Sequence, residues 1–71
     1  MKTLYDVQKL LKNFNIYVYI GKRLYDIEVM KNELGKLYDN GLLEKDDYLQ
    51  AELILRREHR LESEKEKERN K

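Results

Sequence analysis

The residues best suited to chemistry in this 71-residue chain are tyrosines interleaved with lysine and arginine. A first group falls within nine residues, and a second, purely basic group lies near the C-terminal end. The two groups are Tyr17, Tyr19, Lys22, Arg23 and Tyr25, then Arg56, Arg57 and Arg60. Tyrosine rings offer faces on which nucleobases stack, for about 1–3 kcal/mol per base, while cationic side chains follow the phosphates. The pattern favours a surface for single-stranded DNA or RNA if both groups meet in one groove.

The same residues also have a purely structural interpretation. Tyrosines commonly sit at the boundary of a small core with their hydroxyls turned outward, and arginines commonly cover a solvated helix face. The direction of the rings of Tyr17, Tyr19 and Tyr25 decides between the two interpretations, and the sequence leaves it open.

Catalytic chemistry is not predicted, because nucleophile and base do not come together in this sequence. The chain has one serine (Ser63), one threonine (Thr3), one histidine (His59) and no cysteine. Ser63 lies in a charged run and Thr3 serves as a helix cap, so neither has a base beside it. His59 is expected at the rim of a helix face. We therefore expect no enzyme, no cofactor and no small-molecule substrate.

A metal site is not predicted either. One imidazole falls short of a zinc ligand set. Four acids flank a turn, but their spacing does not match the oxygen ligands, glycine and final glutamate of a calcium-binding loop. We interpret them as acids at helix ends; they are Asp39, Glu44, Asp46 and Asp47.

Charge and composition limit the class of protein. Fifteen basic residues oppose fourteen acidic ones, for a net charge of +1, so no strong global attraction to nucleic acid or membrane is expected. Residues 56–71 hold 7 basic and 5 acidic side chains, which leaves the body slightly acidic. No apolar stretch approaches the ~20 residues of a membrane span. No apolar segment follows Met1-Lys2, so the sequence predicts a cytoplasmic protein without a signal peptide.

Three helices are predicted to position these residues in an all-α, three-helix bundle over residues 1–60. Thr3 with Asp6 forms a capping box before the first helix, which should stop near Asn13 or Asn15. The second helix is expected to start with Asp26 as its N-cap. It should end at residues 40–41 in a Schellman motif, and the third helix should follow closely as the second arm of a helical hairpin.

A short extended connector is predicted between the first two helices. Ile16, Val18 and Ile20 alternate with two tyrosines up to Gly21, a pattern of period two. A lone strand has no ladder partner in so short a chain, so we expect a connector packed on the bundle; a strand pairing between protomers is the alternative. Residues 61–71 are expected to be a charged, fraying tail, disordered near its end. Gly35 marks either a close approach or a tolerated solvent-facing position.

Several segments together resemble the YqgQ-like family of small bacterial proteins. They are Leu4-Tyr5-Asp6-Val7-Gln8 with Leu10-Leu11, Ile20-Gly21-x-Arg23 before Asp26-Ile27-Glu28-x-Met30, Leu37-Tyr38-x-x-Gly41-Leu42, and Tyr48-Leu49-x-Ala51 before Leu53-Ile54-Leu55-Arg56-Arg57-Glu58. The resemblance implies a compact three-helix domain of Gram-positive bacteria, of unknown function, for which single-stranded nucleic-acid binding is a proposal. It singles out Arg23, Arg56 and Arg57 as surface candidates and implies no catalytic residue.

Two hypotheses of function follow. The first is a non-enzymatic interaction module that binds single-stranded nucleic acid weakly through the tyrosines and cations above. The second is a protein–protein adaptor or self-associating module that uses the apolar connector Ile16–Ile20.

Overall fold

A capping box starts helix α1, which spans Leu4–Lys12 in the computed structural model. The structure describes residues 1–69. Thr3 Oγ1 accepts from the Asp6 N–H at 3.3 Å, and an Asp6 carboxylate oxygen accepts from the N–H groups of Thr3 at 3.1 Å and Lys2 at 2.8 Å. These bonds satisfy donors that a first turn leaves without intrahelical partners. The predicted cap is confirmed.

The end of α1 is set by two asparagines, as predicted. Asn13 is the C-cap, and Asn15 adopts φ 61°, a left-handed conformation that asparagine tolerates better than most residues. The Ile16 N–H then donates to the Leu11 carbonyl at 3.0 Å. This bond turns the chain out of the helix and into the connector.

Helix α2 spans Arg23–Asp39 and begins earlier than predicted, so the assignment of Asp26 as its N-cap is wrong. Lys22 occupies the N-cap position and makes no side-chain cap hydrogen bond. Asp26 lies inside the first turn, is buried, and accepts a hydrogen bond from the backbone of Ile20. An acid in a first turn is favourable wherever it sits there, so residue type alone did not distinguish the two positions.

A Schellman motif ends α2, as the sequence predicted. Gly41 takes φ 71°, its N–H donates to the Tyr38 carbonyl at 3.0 Å, and the Leu42 N–H donates to the Leu37 carbonyl at 2.9 Å. These two bonds satisfy carbonyls that the last turn leaves free. A Schellman motif often brings an apolar contact between the residue after the glycine and the last turn of the helix, but here the Leu42 side chain is exposed.

Helix α3 spans Lys45–Arg69 and is the longest of the three. It starts with Asp46 and Asp47 in its first turn, at the positive end of the helix dipole. The predicted tail is therefore helical from residue 61 to residue 69. The disorder expected near the end of the chain falls on residues 70–71, outside the described residues, and the domain boundary at residue 60 stays a prediction.

The core lies between the three helices, and the all-α three-helix architecture is confirmed for the described residues. α2 and α3 are antiparallel, because the end of α2 is joined to the start of α3 while Arg23 reaches Glu58. Tyr38 and Tyr48 stack at 4.2 Å between ring centroids and close one end of this hairpin. The buried apolar side chains are Leu4, Val7, Leu11, Ile27, Met30, Leu34, Leu37, Leu43, Ala51, Ile54 and Leu55.

Candidate nucleic-acid interface

The connector presents its tyrosines to solvent. Ile16 and Val18 are half-buried and pack on the core, whereas Tyr17 is 70% and Tyr19 89% exposed. This is the alternation of side chains expected of an extended segment that lies along a bundle. The question that the sequence left open is thus answered for these two rings, which point outward.

A hydrogen bond from the backbone to a side chain holds the connector at its C-terminal end. The Ile20 N–H donates to Oδ1 of Asp26 at 2.6 Å, and Gly21 follows with φ +100°, a conformation that L side chains rarely adopt. The chain then enters α2 at Arg23. The tyrosines therefore stand on a segment fixed to α1 at one end and to α2 at the other.

A groove lies beside the two tyrosines, between α1, the connector and α2. Its volume is about 280 Å³. Its lining residues are Gln8, Leu11, Lys12, Ile16, Tyr17, Val18, Tyr19 and Met30. Gln8 and Lys12 were not predicted to belong to the site, although they are four apart on α1 and flank its buried stripe. Lys12 adds a cation next to the exposed rings.

Lys22 and Tyr25 interact with each other. The Lys22 ammonium lies 5.1 Å from the centre of the Tyr25 ring, within cation–π range, and Tyr25 is 48% exposed. One face of this ring is therefore covered by a flexible side chain that a stacking base would have to displace. Tyr25 offers less free aromatic surface than Tyr17 and Tyr19.

Arg23 and Arg57 are engaged in contacts within the protein. Arg23 bridges two glutamates of α3, Glu58 at 3.1 Å and Glu62 at 3.6 Å. Arg57 donates to the Lys2 carbonyl at 3.0 Å and lies 4.0 Å from Glu58. Both arginines are half-exposed, but their charge is largely balanced, and they tie α3 to the starts of α1 and α2.

Arg56 and Arg60 lie on a different surface. Arg56 pairs with Glu52 one turn earlier, at 3.0 Å. Both arginines line a shallow basic groove of about 370 Å³ between α2 and α3. The other residues that line it are Lys31, His59, Ser63, Glu64 and Lys67. No residue lines both this groove and the tyrosine groove, so Arg56 and Arg60 do not share a groove with Tyr17 and Tyr19.

His59 lies at the rim of the hairpin, as its position on α3 predicted. Its Nε2 is 3.2 Å from a carboxylate oxygen of Glu28 on α2, and its side chain is 35% exposed. Among the side chains of residues 1–67, no three of histidine, cysteine, aspartate or glutamate converge to a metal-binding group. Across residues 1–69, no helix is long and apolar enough to cross a membrane.

Comparison with known proteins supports the resemblance found in the sequence. The family model described as YqgQ-like matches residues 1–61. The chain is also 48% identical over 58 residues to a Bacillus subtilis (strain 168) protein named "Uncharacterized protein YqgQ", and the match covers 82% of each chain. The residues that the family model matches, 1–61, contain α1, the connector, α2 and most of α3. They therefore include every candidate residue of the interface.

Proposed function

The chain belongs to the YqgQ-like family, whose function is unknown, and from its own surface we propose that it is a non-enzymatic module that binds single-stranded nucleic acid. Binding takes place at the connector, is weak, and has little sequence preference. The cytoplasmic location predicted from the sequence is part of this proposal.

The exposure of Tyr17 and Tyr19 is the observation that carries the proposal. Both rings stand outside the core, at 70% and 89% exposure, on a segment whose two ends are fixed. Large aromatic side chains gain little stability from such positions, because most of their apolar area stays in water. They do provide preformed stacking surfaces, and stacking does not discriminate strongly between bases.

The cations near these rings favour the same ligand. Lys12 lines the groove beside Tyr17, and Lys22 follows the connector. Because these two lysines are the cations beside the rings, few phosphates can be neutralised at once. The salt dependence should therefore be shallow, with a slope near −0.7 for each phosphate contacted on a log–log plot.

The test is fluorescence anisotropy of a labelled single strand at ~50 mM salt, with a salt titration. We expect measurable binding that weakens when Tyr17 and Tyr19 are both replaced by alanine. The matched control is the double Tyr→Phe variant, which keeps both ring faces and should retain binding. No binding by the wild-type protein at high-micromolar concentration would refute the proposal.

A second candidate is a protein-binding role for the connector, favoured by Ile20, which is 59% exposed. The other two apolar residues of the segment, Ile16 and Val18, face the core, so the surface available to a partner is small. An Ile20→Lys variant separates the two functions. Under our proposal it should preserve or strengthen nucleic-acid binding, because it adds a cation next to Tyr19. Under the alternative it should abolish connector-mediated association.

A further inference from the structure

The outer face of α3 carries two leucines that neither the core nor the proposed function uses. Leu49 is 44% and Leu53 67% exposed. Together with Glu52 and Arg56 they line a shallow, mainly apolar depression of about 240 Å³. They lie one helical turn apart, on the side of the helix opposite the buried residues Ala51 and Leu55.

Charged residues flank this leucine pair in an ordered way. Asp46 lies before the pair, at the start of α3, and Arg56 lies after it. At about 100° per residue, the two charges fall on opposite sides of the mean direction of Leu49 and Leu53, each about 40° from it. Both charged side chains are exposed.

This pattern is complementary to itself under a two-fold rotation. If the axis passes through the outer face at the level of residue 51, then Leu49 of one chain faces Leu53 of the other. Asp46 then comes close to Arg56. We propose that the outer face of α3 is a docking surface for a second copy of this chain, in an antiparallel homodimer.

Charge complementarity selects this occupant and this orientation. A parallel pair would set Asp46 against Asp46 and Arg56 against Arg56, and like charges held together are unfavourable. The antiparallel pair replaces both of these repulsions with attractions. It also sets the two helix dipoles antiparallel, which is favourable. Each interface residue is matched by another of the same chain, as a two-fold interface requires.

The dimer is expected to be weak. One helix pair buries less than the ~1,200 Å² typical of stable complexes. Arg56 must also exchange its contact with Glu52, a pair four residues apart on the same helix that stabilises the protein only slightly. Association should therefore depend on concentration. The proposal does not involve Tyr17 or Tyr19, so it stands or falls separately from nucleic-acid binding.

Sedimentation equilibrium over a wide concentration range is the first test. We expect a monomer–dimer equilibrium that weakens about tenfold or more in Leu53→Glu, which sets a carboxylate against Leu49. The matched control is Ile20→Glu, at an apolar position of the connector that is 59% exposed against 67% for Leu53, and it should leave the equilibrium unchanged. A protein that stays monomeric at millimolar concentration, or a dimer that survives Leu53→Glu, would overturn the proposal.

A charge swap tests the pairing itself. Asp46→Arg and Arg56→Asp should each weaken the dimer, and the double variant should restore it, because the attraction is then reversed on both sides. Circular dichroism of each variant identifies any loss of helix. Additive losses in the double variant of a folded protein would contradict the pairing.

Cysteine cross-linking gives the orientation, since the chain has no cysteine of its own. Leu49→Cys and Leu53→Cys proteins, mixed and oxidised, should form the mixed disulfide faster than either homodimeric one. Equal or preferred homodimeric cross-linking would contradict the antiparallel register.

Discussion

The backbone N–H of Ile20 donates to Oδ1 of Asp26, six positions further along the chain, at 2.6 Å. Asp26 is buried in the first turn of α2, so one carboxylate joins the end of the connector to the start of the next helix. The tyrosines of the proposed interface depend on this bond, because it fixes the end of the segment that carries them.

Replacing Asp26 with alanine should destabilise the protein by about 1.5–3 kcal/mol, since a hydrogen bond to a charged acceptor is lost and a partly buried N–H loses its partner. Asp26→Asn keeps an oxygen acceptor and should cost less, about 1 kcal/mol. Urea denaturation measures both values. Amide exchange at Ile20 should accelerate in Asp26→Ala; unchanged exchange there would show that this bond does not hold the connector.

The ion pairs of Arg23 should matter more than those of other exposed arginines. Its partners Glu58 and Glu62 have side chains only 19% and 11% exposed, so its removal leaves two poorly solvated carboxylates. We expect Arg23→Ala to cost about 1 kcal/mol, and Arg56→Ala, whose pair lies within one helix, about 0.5 kcal/mol or less. Denaturation at low and high salt measures both. An equal cost for the two variants would contradict a specific role for Arg23.

Gly35 should be a site where alanine is stabilising. It lies inside α2, and no heavy atom lies within 4 Å of the position that a Cβ would occupy, apart from its own helix backbone and chain neighbours. The structure thus favours a tolerated glycine over a close approach. Gly35→Ala should raise the free energy of unfolding by about 0.5–1 kcal/mol. Gly21→Ala, at φ +100°, is the contrasting control and should lower it.

The capping box makes α1 sensitive to acid. Hydrogen bonds from the N–H groups of Lys2 and Thr3 hold the pKa of Asp6 below its ordinary value of 3.8. A lowered pKa contributes stability that is fully present above the unfolded value and is lost as the pH falls through the folded one. The loss should therefore occur below pH 3.8.

An NMR titration of the Asp6 carboxyl measures this pKa directly. Asp6→Asn is the control and should remove this part of the acid dependence of α1. A carboxyl that titrates at 3.8 or above would contradict the contribution of the cap.

Local signals made most of the fold predictable. The Thr3–Asp6 box and the turn at Gly41 are short patterns whose hydrogen bonds join neighbouring residues, so residue type and spacing are enough to find them. The start of α2 was missed because Asp26 bonds back to the connector, and no local rule distinguishes that acceptor from an N-cap.

The candidate site was only partly predictable, for a related reason. The alternation of Ile16 to Ile20 implied that one side of the connector faces the core, but not which one. The partners of the arginines depend on tertiary contacts: Arg23 meets Glu58 across 35 positions of sequence. Lys12 was overlooked because only the packed connector brings it beside Tyr17.

Lys12 should contribute to nucleic-acid binding although the sequence pattern did not include it. It lines the groove of Tyr17 and Tyr19, where a phosphate of a stacked strand would pass. Lys12→Ala should weaken binding several-fold and reduce the magnitude of the salt slope by about 0.7, the value of one phosphate contact. The control is Lys45→Ala, which removes the same charge from the start of α3. Because Lys45 lines neither groove, this substitution should change affinity little. Equal effects of the two variants would mean that net charge alone attracts the strand. The proposal that the connector is the binding surface would then be refuted.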